Sequence, residues 1–101
     1  MPLRLPRVIV RVRAGPSWGE GPPEEQPGWD AHVQFVDELI ERGVFVMGGP
    51  YADNSGSLTL WEGLSAEKVR ALVVDDPFVQ SGVFVLEDVR DWIVYVDTRI
   101  Q

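Results

Sequence analysis

The chain holds one histidine, His32, within the stretch GWDAHVQF. Imidazole is the side chain whose ordinary titration lies nearest neutral pH. Two carboxylates stand together further on, as Asp75 and Asp76 in VVDDPF. A carboxylate that accepts a hydrogen bond from one ring nitrogen fixes the tautomer and stabilises the imidazolium, leaving the other nitrogen to take up and return a proton. That device needs two residues and neither a metal nor a cofactor. Other chemistries find less support. A single histidine is too few for a His-rich metal site, and the chain has no cysteine for a disulfide, a thiolate nucleophile or sulfur-bound zinc. Leu64 stands where a calcium loop beginning at Asp53 would need its closing glutamate. GEGPPE keeps two glycines of a dinucleotide fingerprint but has Glu24 in place of the third.

The elements that must bring His32 and a carboxylate together follow from hydrophobic period and turn chemistry. RVIVRVR (7–13) is Val-rich and partly alternating, which predicts a strand. AGPSWGEGPPEEQPG (14–28) is too rich in Gly and Pro for regular structure and longer than most connections, so it is either a binding loop or a solvated flap. WDAHVQFVDELIER (29–42) is the clearest helix, with Asp30 expected to cap it and Gly43 to end it. Phe35, Val36, Leu39 and Ile40 form one stripe, with Gln34, Asp37, Glu38 and Glu41 opposite. His32 lies three, four and seven residues before Phe35, Val36 and Leu39, so it faces whatever the helix packs on. VFVMGGP (44–50) and SLTLWE (57–62) read as strands around the turn-rich YADNSG (51–56). Ser65 caps a second helix over 66–75, stopped by Pro77. If that helix runs on, Asp76 continues the stripe of Val69, Leu72 and Val73 while Asp75 faces solvent, which makes Asp76 the better partner for His32. GVFVLEDV (82–89) and WIVYVD (92–97) give one bent strand or two short ones.

The order β, α, β, β, α, β is the split βαβ pattern, an α+β, ferredoxin-like sandwich of two helices on an antiparallel sheet. Its 101 residues suit a single domain spanning 1–101. A net charge of −7 argues against nucleic acid and anionic membrane surfaces, both of which need Lys and Arg. Arg11 and Arg13 break the only N-terminal apolar run, so no signal peptide is expected, and no segment approaches the ~20 apolar residues of a membrane span. A soluble, cytoplasmic protein is the expectation. VFVM, VFVL and WIVYV are apolar on both pleat faces, and two helices cover only one, so a second copy is expected to cover the other in a homodimer.

Read together, GPSW (15–18), QPGWDAH (26–32), GGP (48–50), DDPF (75–78) and SGVF (81–84) resemble the YciI-like (YCII-related) family, in the family's order and over nearly the whole chain. The resemblance implies a ferredoxin-like fold that pairs as a dimeric α/β barrel. It also implies a His–Asp active site, with His32 as the family histidine and Asp76 as the aspartate of the Asp-Pro-aromatic motif. Gly48, Gly49 and Pro50 match the GGP beside the cleft, and Ser81 and Gly82 the small residues after the aspartate. Phe78 stands where other members have Tyr or Trp.

These residues give an expected site of His32 and Asp76 as catalytic pair, with Trp18, Gly49, Pro50, Tyr51, Phe78 and Ser81 around a small-molecule ligand. Trp29 is expected to staple the helix start to the core, and Trp61, Trp92 and Tyr95 to lie in the core or an interface. The expected activity is cofactor-independent proton transfer on a small cyclic or hydroxylated compound: isomerisation, dehydration or dehydrohalogenation. The alternatives are a domain that binds a metabolite without turning it over, and a purely structural dimer module whose lone histidine is a satisfied core residue.

Overall fold

The computed structural model describes residues 2–100. The Val-rich alternation near the N-terminus forms strand β1 (Leu5–Ala14), with Val8, Val10 and Val12 buried on one face and Arg11 and Arg13 exposed on the other. A loop containing a short 3-10 turn (Pro23–Glu25) leads into helix α1 (Trp29–Glu41). Strands β2 (Phe45–Pro50) and β3 (Gly56–Trp61) follow, then helix α2 (Ala66–Val73), helix α3 (Pro77–Ser81) and strand β4 (Phe84–Val94). The sheet order is β2-β3-β1-β4 and every neighbouring pair is antiparallel. This is the α+β sandwich that the element order implied.

Residues paired across an antiparallel ladder share a face. The register Val8↔Trp61, Val10↔Thr59 and Val12↔Ser57 therefore sets one face of the central strands. That face joins Leu39 of α1, Val69 and Val73 of α2 and Phe78 of α3 in one core. The register Ile9↔Leu60 sets the other face, which also holds Met47, Leu58 and Trp92. Among the described residues, no helix covers that second face. A bulge between Arg11 and Val12 shifts the β4 register and aligns Phe84, Leu86 and Val89 towards the helices.

Four local expectations are corrected. Asp30 does not cap α1: the N-cap is Gly28, in a left-handed conformation with φ 90°, and Asp30 falls inside the first turn. Ile40 leaves the apolar stripe and is 53% exposed, because the stripe narrows to the side that meets the sheet. The second helix ends at Val73, and Asp76 is instead the N-cap of α3, a helix the sequence reading did not separate. Pro77 explains this. Its ring excludes the helical conformation from the preceding residue, and Asp76 duly adopts φ −58°, ψ 127°, while proline itself is well suited to a first helical position. The two C-terminal segments form a single strand, one of the two expected readings, but it ends at Val94, three residues short of the expected end, so Tyr95 and Val96 lie beyond it. Ser65 caps α2 as expected, its Oγ accepting from the Lys68 amide at 3.2 Å. Among the described residues, no helix is long and apolar enough to cross a membrane.

Candidate active site

His32 lies in the second turn of α1, on the side that meets the sheet. Asp76 reaches the same place from the junction of α2 and α3. The ring Nδ1 is 2.8 Å from Asp76 Oδ1 and 3.0 Å from Oδ2. Oδ1 also accepts a hydrogen bond from the Phe78 amide at 2.9 Å, the capping contact of α3. One carboxylate thus both starts a helix and holds the imidazole. Against an ionised carboxylate, which can only accept, Nδ1 is the donor, and in the neutral ring Nε2 then offers its lone pair.

The ring is held on its flat sides as well. Phe78, fully buried, stacks on it at 4.4 Å with an 11° angle between planes. Phe84 meets it edge-on at 5.5 Å, and Trp29 lies 5.6 Å away. The His32 and Asp76 side chains are only 14% and 8% exposed. Nε2 has no hydrogen-bond partner among the described residues, yet no fully buried side-chain nitrogen or oxygen there is left unpaired. The free nitrogen is therefore open to the space beside it.

That space is a hollow of about 280 Å³ between α1 and the β2–β3–β1 part of the sheet. Val10, Val12 and Trp61 form its floor, Trp29, Phe35 and Val36 one wall, and Gly48 to Pro50 the opposite side. Gly48 shows why the hollow stays open. A Cβ there would lie 2.7 Å from the Thr59 methyl and 2.9 Å from the Phe45 ring, so the strand admits no side chain at this point. A Cβ on Gly49 would meet nothing within 4 Å.

The long loop closes one end, with Pro23 and Glu24 in the wall. It is an ordered structure built around Gln26, whose residue is only 4% exposed. Its side-chain oxygen accepts from the Gly19 amide at 2.7 Å, and its Nε2 donates to the carbonyls of Glu20 and Pro22 at 2.9 and 3.1 Å. The far end of the loop is pinned where a Cβ on Gly15 would collide with the Gly82 carbonyl oxygen.

Of the expected ligand-binding residues, Gly49 and Pro50 line this hollow and Phe78 supports the His32 ring from behind. Trp18 does not line it: its indole donates to the Gly21 carbonyl at 3.0 Å and its ring packs on Phe84 at 5.7 Å. Ser81 points back to the Phe78 carbonyl at the end of α3. Tyr51 lines a second hollow on the helix-free face, with Met47, Leu58 and Trp92. Trp29 both packs near Phe78 and faces the hollow. Sequence reasoning missed Gln26, Glu24, Ser57 and Thr59, and gave Asp37 to solvent although it stands at the hollow's edge. Nothing local marks such residues, because the partners that define them are distant in sequence or are backbone groups. Among the described residues, no group of three or more His, Cys, Asp or Glu side chains is placed to hold a metal ion.

The family model of the YCII-related domain matches residues 11–93. No curated protein matches the chain. Among solved structures, the chain is similar to 5-chloro-2-hydroxyhydroquinone dehydrochlorinase (TftG) from Burkholderia phenoliruptrix AC1100, in complex with 2,5-dihydroxybenzoquinone. The TM-score is 0.61 at 23% identity, covering 84% of this chain and 92% of that one. This likeness establishes a shared fold.

Proposed function

The chain belongs to the YCII-related family, and from that premise we propose that it is a small-molecule enzyme in which His32 is the general acid/base and Asp76 its anchor. The observation that carries this reading is the 2.8 Å contact from His32 Nδ1 to Asp76, with Nε2 unpartnered beside a hollow of about 280 Å³. In the reaction, Nε2 takes a proton from a substrate carbon or hydroxyl. The electron pair left behind forms a new double bond, and either a leaving group departs or the proton returns at another atom. Isomerisation, dehydration and dehydrohalogenation all fit that one step. General acid/base assistance of this kind contributes roughly 10²–10⁴-fold in rate.

The working unit is a homodimer paired through the helix-free face of the sheet. Met47, Leu58 and Trp92 are 47%, 41% and 47% exposed there, next to Ile9 and Leu60. A contiguous apolar patch of this kind is what a self-complementary interface covers.

The dehydrochlorinase of similar fold supplies the first compound to try. The test measures chloride release from 5-chloro-2-hydroxyhydroquinone, and the binding of that same compound by NMR of the His32 ring. Turnover by the native protein that falls about 10²-fold or more in His32→Ala and in Asp76→Asn supports the mechanism. Turnover untouched by His32→Ala overturns it. Binding at His32 with no turnover of this or related ring compounds assigns the protein to ligand binding instead.

A further inference from the structure

The charge pattern of the hollow narrows what can enter it. No Arg or Lys lines it. Arg11 and Arg90 pair with Asp88, and Arg7 with Glu62, along the strands. The hydroxyls on its floor are partly engaged: Ser57 Oγ donates to the Gly49 carbonyl at 2.9 Å, and Thr59 Oγ1 accepts from the Trp61 indole at 2.7 Å. Ser57 keeps acceptor capacity and Thr59 its O–H donor, so together with His32 Nε2 they offer a ligand neutral hydrogen bonds and no cation. At the edge stand Glu24, from the long loop, and Asp37, from α1, both exposed and without a hydrogen bond or ion pair among the described residues.

We propose that the hollow selects uncharged molecules, and that Glu24 and Asp37 are specificity residues that turn carboxylates and phosphates away. The proposal rests on reading the hollow as a ligand site. An anion entering it would lose hydration against apolar walls without a cation to compensate, which is costly. The imidazole offers it little attraction, because even as imidazolium its charge is offset by Asp76 on the Nδ1 side. Glu24 and Asp37 oppose its approach, and the chain's charge of −7 adds to the opposition at longer range. A cation is drawn to the two edge carboxylates about as strongly as an anion is repelled, but it too must shed its hydration to enter an apolar interior whose one carboxylate, Asp76, is already paired with His32. Size narrows the class further. An apolar cavity of about 150 Å³ holds benzene, so about 280 Å³ suits a single six-membered ring with a few small uncharged substituents.

Three ring probes that differ in charge test this: benzyl alcohol, benzoate and benzylammonium. Their binding is followed by NMR at the His32 ring and the Trp29 indole, in the native protein and in the Glu24→Gln/Asp37→Asn double variant. At low salt, benzyl alcohol should bind about tenfold or more tighter than benzoate, as expected when an unpaired anion must be desolvated. The double variant should raise benzoate affinity by about three- to tenfold, the scale of two screened charges removed at close range, and leave benzyl alcohol unchanged. Added salt should strengthen benzoate binding to the native protein more than to the variant, which keeps a smaller negative charge. Benzoate binding as tightly as benzyl alcohol, benzylammonium binding tightest of the three, or a variant that shifts all three probes alike would each overturn the proposal. If none of the three perturbs His32 or Trp29, the reading of the hollow as a ligand site fails, and the charge selection with it.

Discussion

Asp76 carries two duties whose separation can be measured. Its Oδ1 accepts from the Phe78 amide and it also holds His32 Nδ1. Asparagine is as good an N-cap as aspartate, so Asp76→Asn should leave the thermal midpoint nearly unchanged. The amide is neutral and cannot stabilise the ring as the carboxylate does. The ¹⁵N spectrum of His32 should therefore lose its single Nδ1–H tautomer while the fold persists. A spectrum unchanged by the substitution would show that the carboxylate does not set the tautomer. Neighbouring glycines make a second contrast. Gly48→Ala forces a methyl against Thr59 and Phe45 and should cost about 1–3 kcal/mol in urea unfolding, as overpacking does. Gly49→Ala meets open space and should be near neutral by the same measurement.

At the scale of elements, the site is made where segments meet. Helix α1 supplies the ring, the α2–α3 junction supplies its anchor, and β2 leaves room by lacking side chains at its glycines. The loop before α1 is held by Gln26 from within. Gln26→Ala would leave the Gly19 amide and the Glu20 carbonyl without their partner, a loss of about 1–3 kcal/mol confined to the loop. The expected outcome is faster hydrogen exchange at Gly19 with protection in β1 unchanged, and weaker ligand binding as Pro23 and Glu24 lose their positions. Exchange that rises across the whole domain would instead make the loop part of the global folding unit.

For the whole molecule, the two faces of the sheet have different fates. One is buried under three helices and keeps the hollow at its edge; the other is apolar and bare. If pairing occurs through the bare face, a charge placed there should separate the copies without disturbing the site. Leu58→Glu is expected to convert a dimer to a monomer in sedimentation at micromolar concentration, with the His32–Asp76 resonances retained. A native protein that sediments as a monomer would remove the homodimer from the reading.

The sequence alone determined the α+β class, the bounds of the first helix to within a residue, and the placing of His32 towards the sheet. Each follows from a local rule, a period of two or 3.6 or a capping preference. The motifs around His32 and Asp76 were legible too, as a resemblance that the family match over residues 11–93 bears out. Tertiary structure decided what those residues meet. The 2.8 Å contact spans 44 positions of sequence, and it exists because the second helix ends at Val73, two residues early, and Pro77 turns Asp76 into a cap. The buried Gln26, the carboxylates of Glu24 and Asp37 at the mouth, and the removal of Trp18, Tyr51 and Ser81 from the hollow had no local signal. Each depends on which distant surfaces the folded chain brings face to face, and a one-dimensional pattern fixes only which way a side chain points from its own helix or strand.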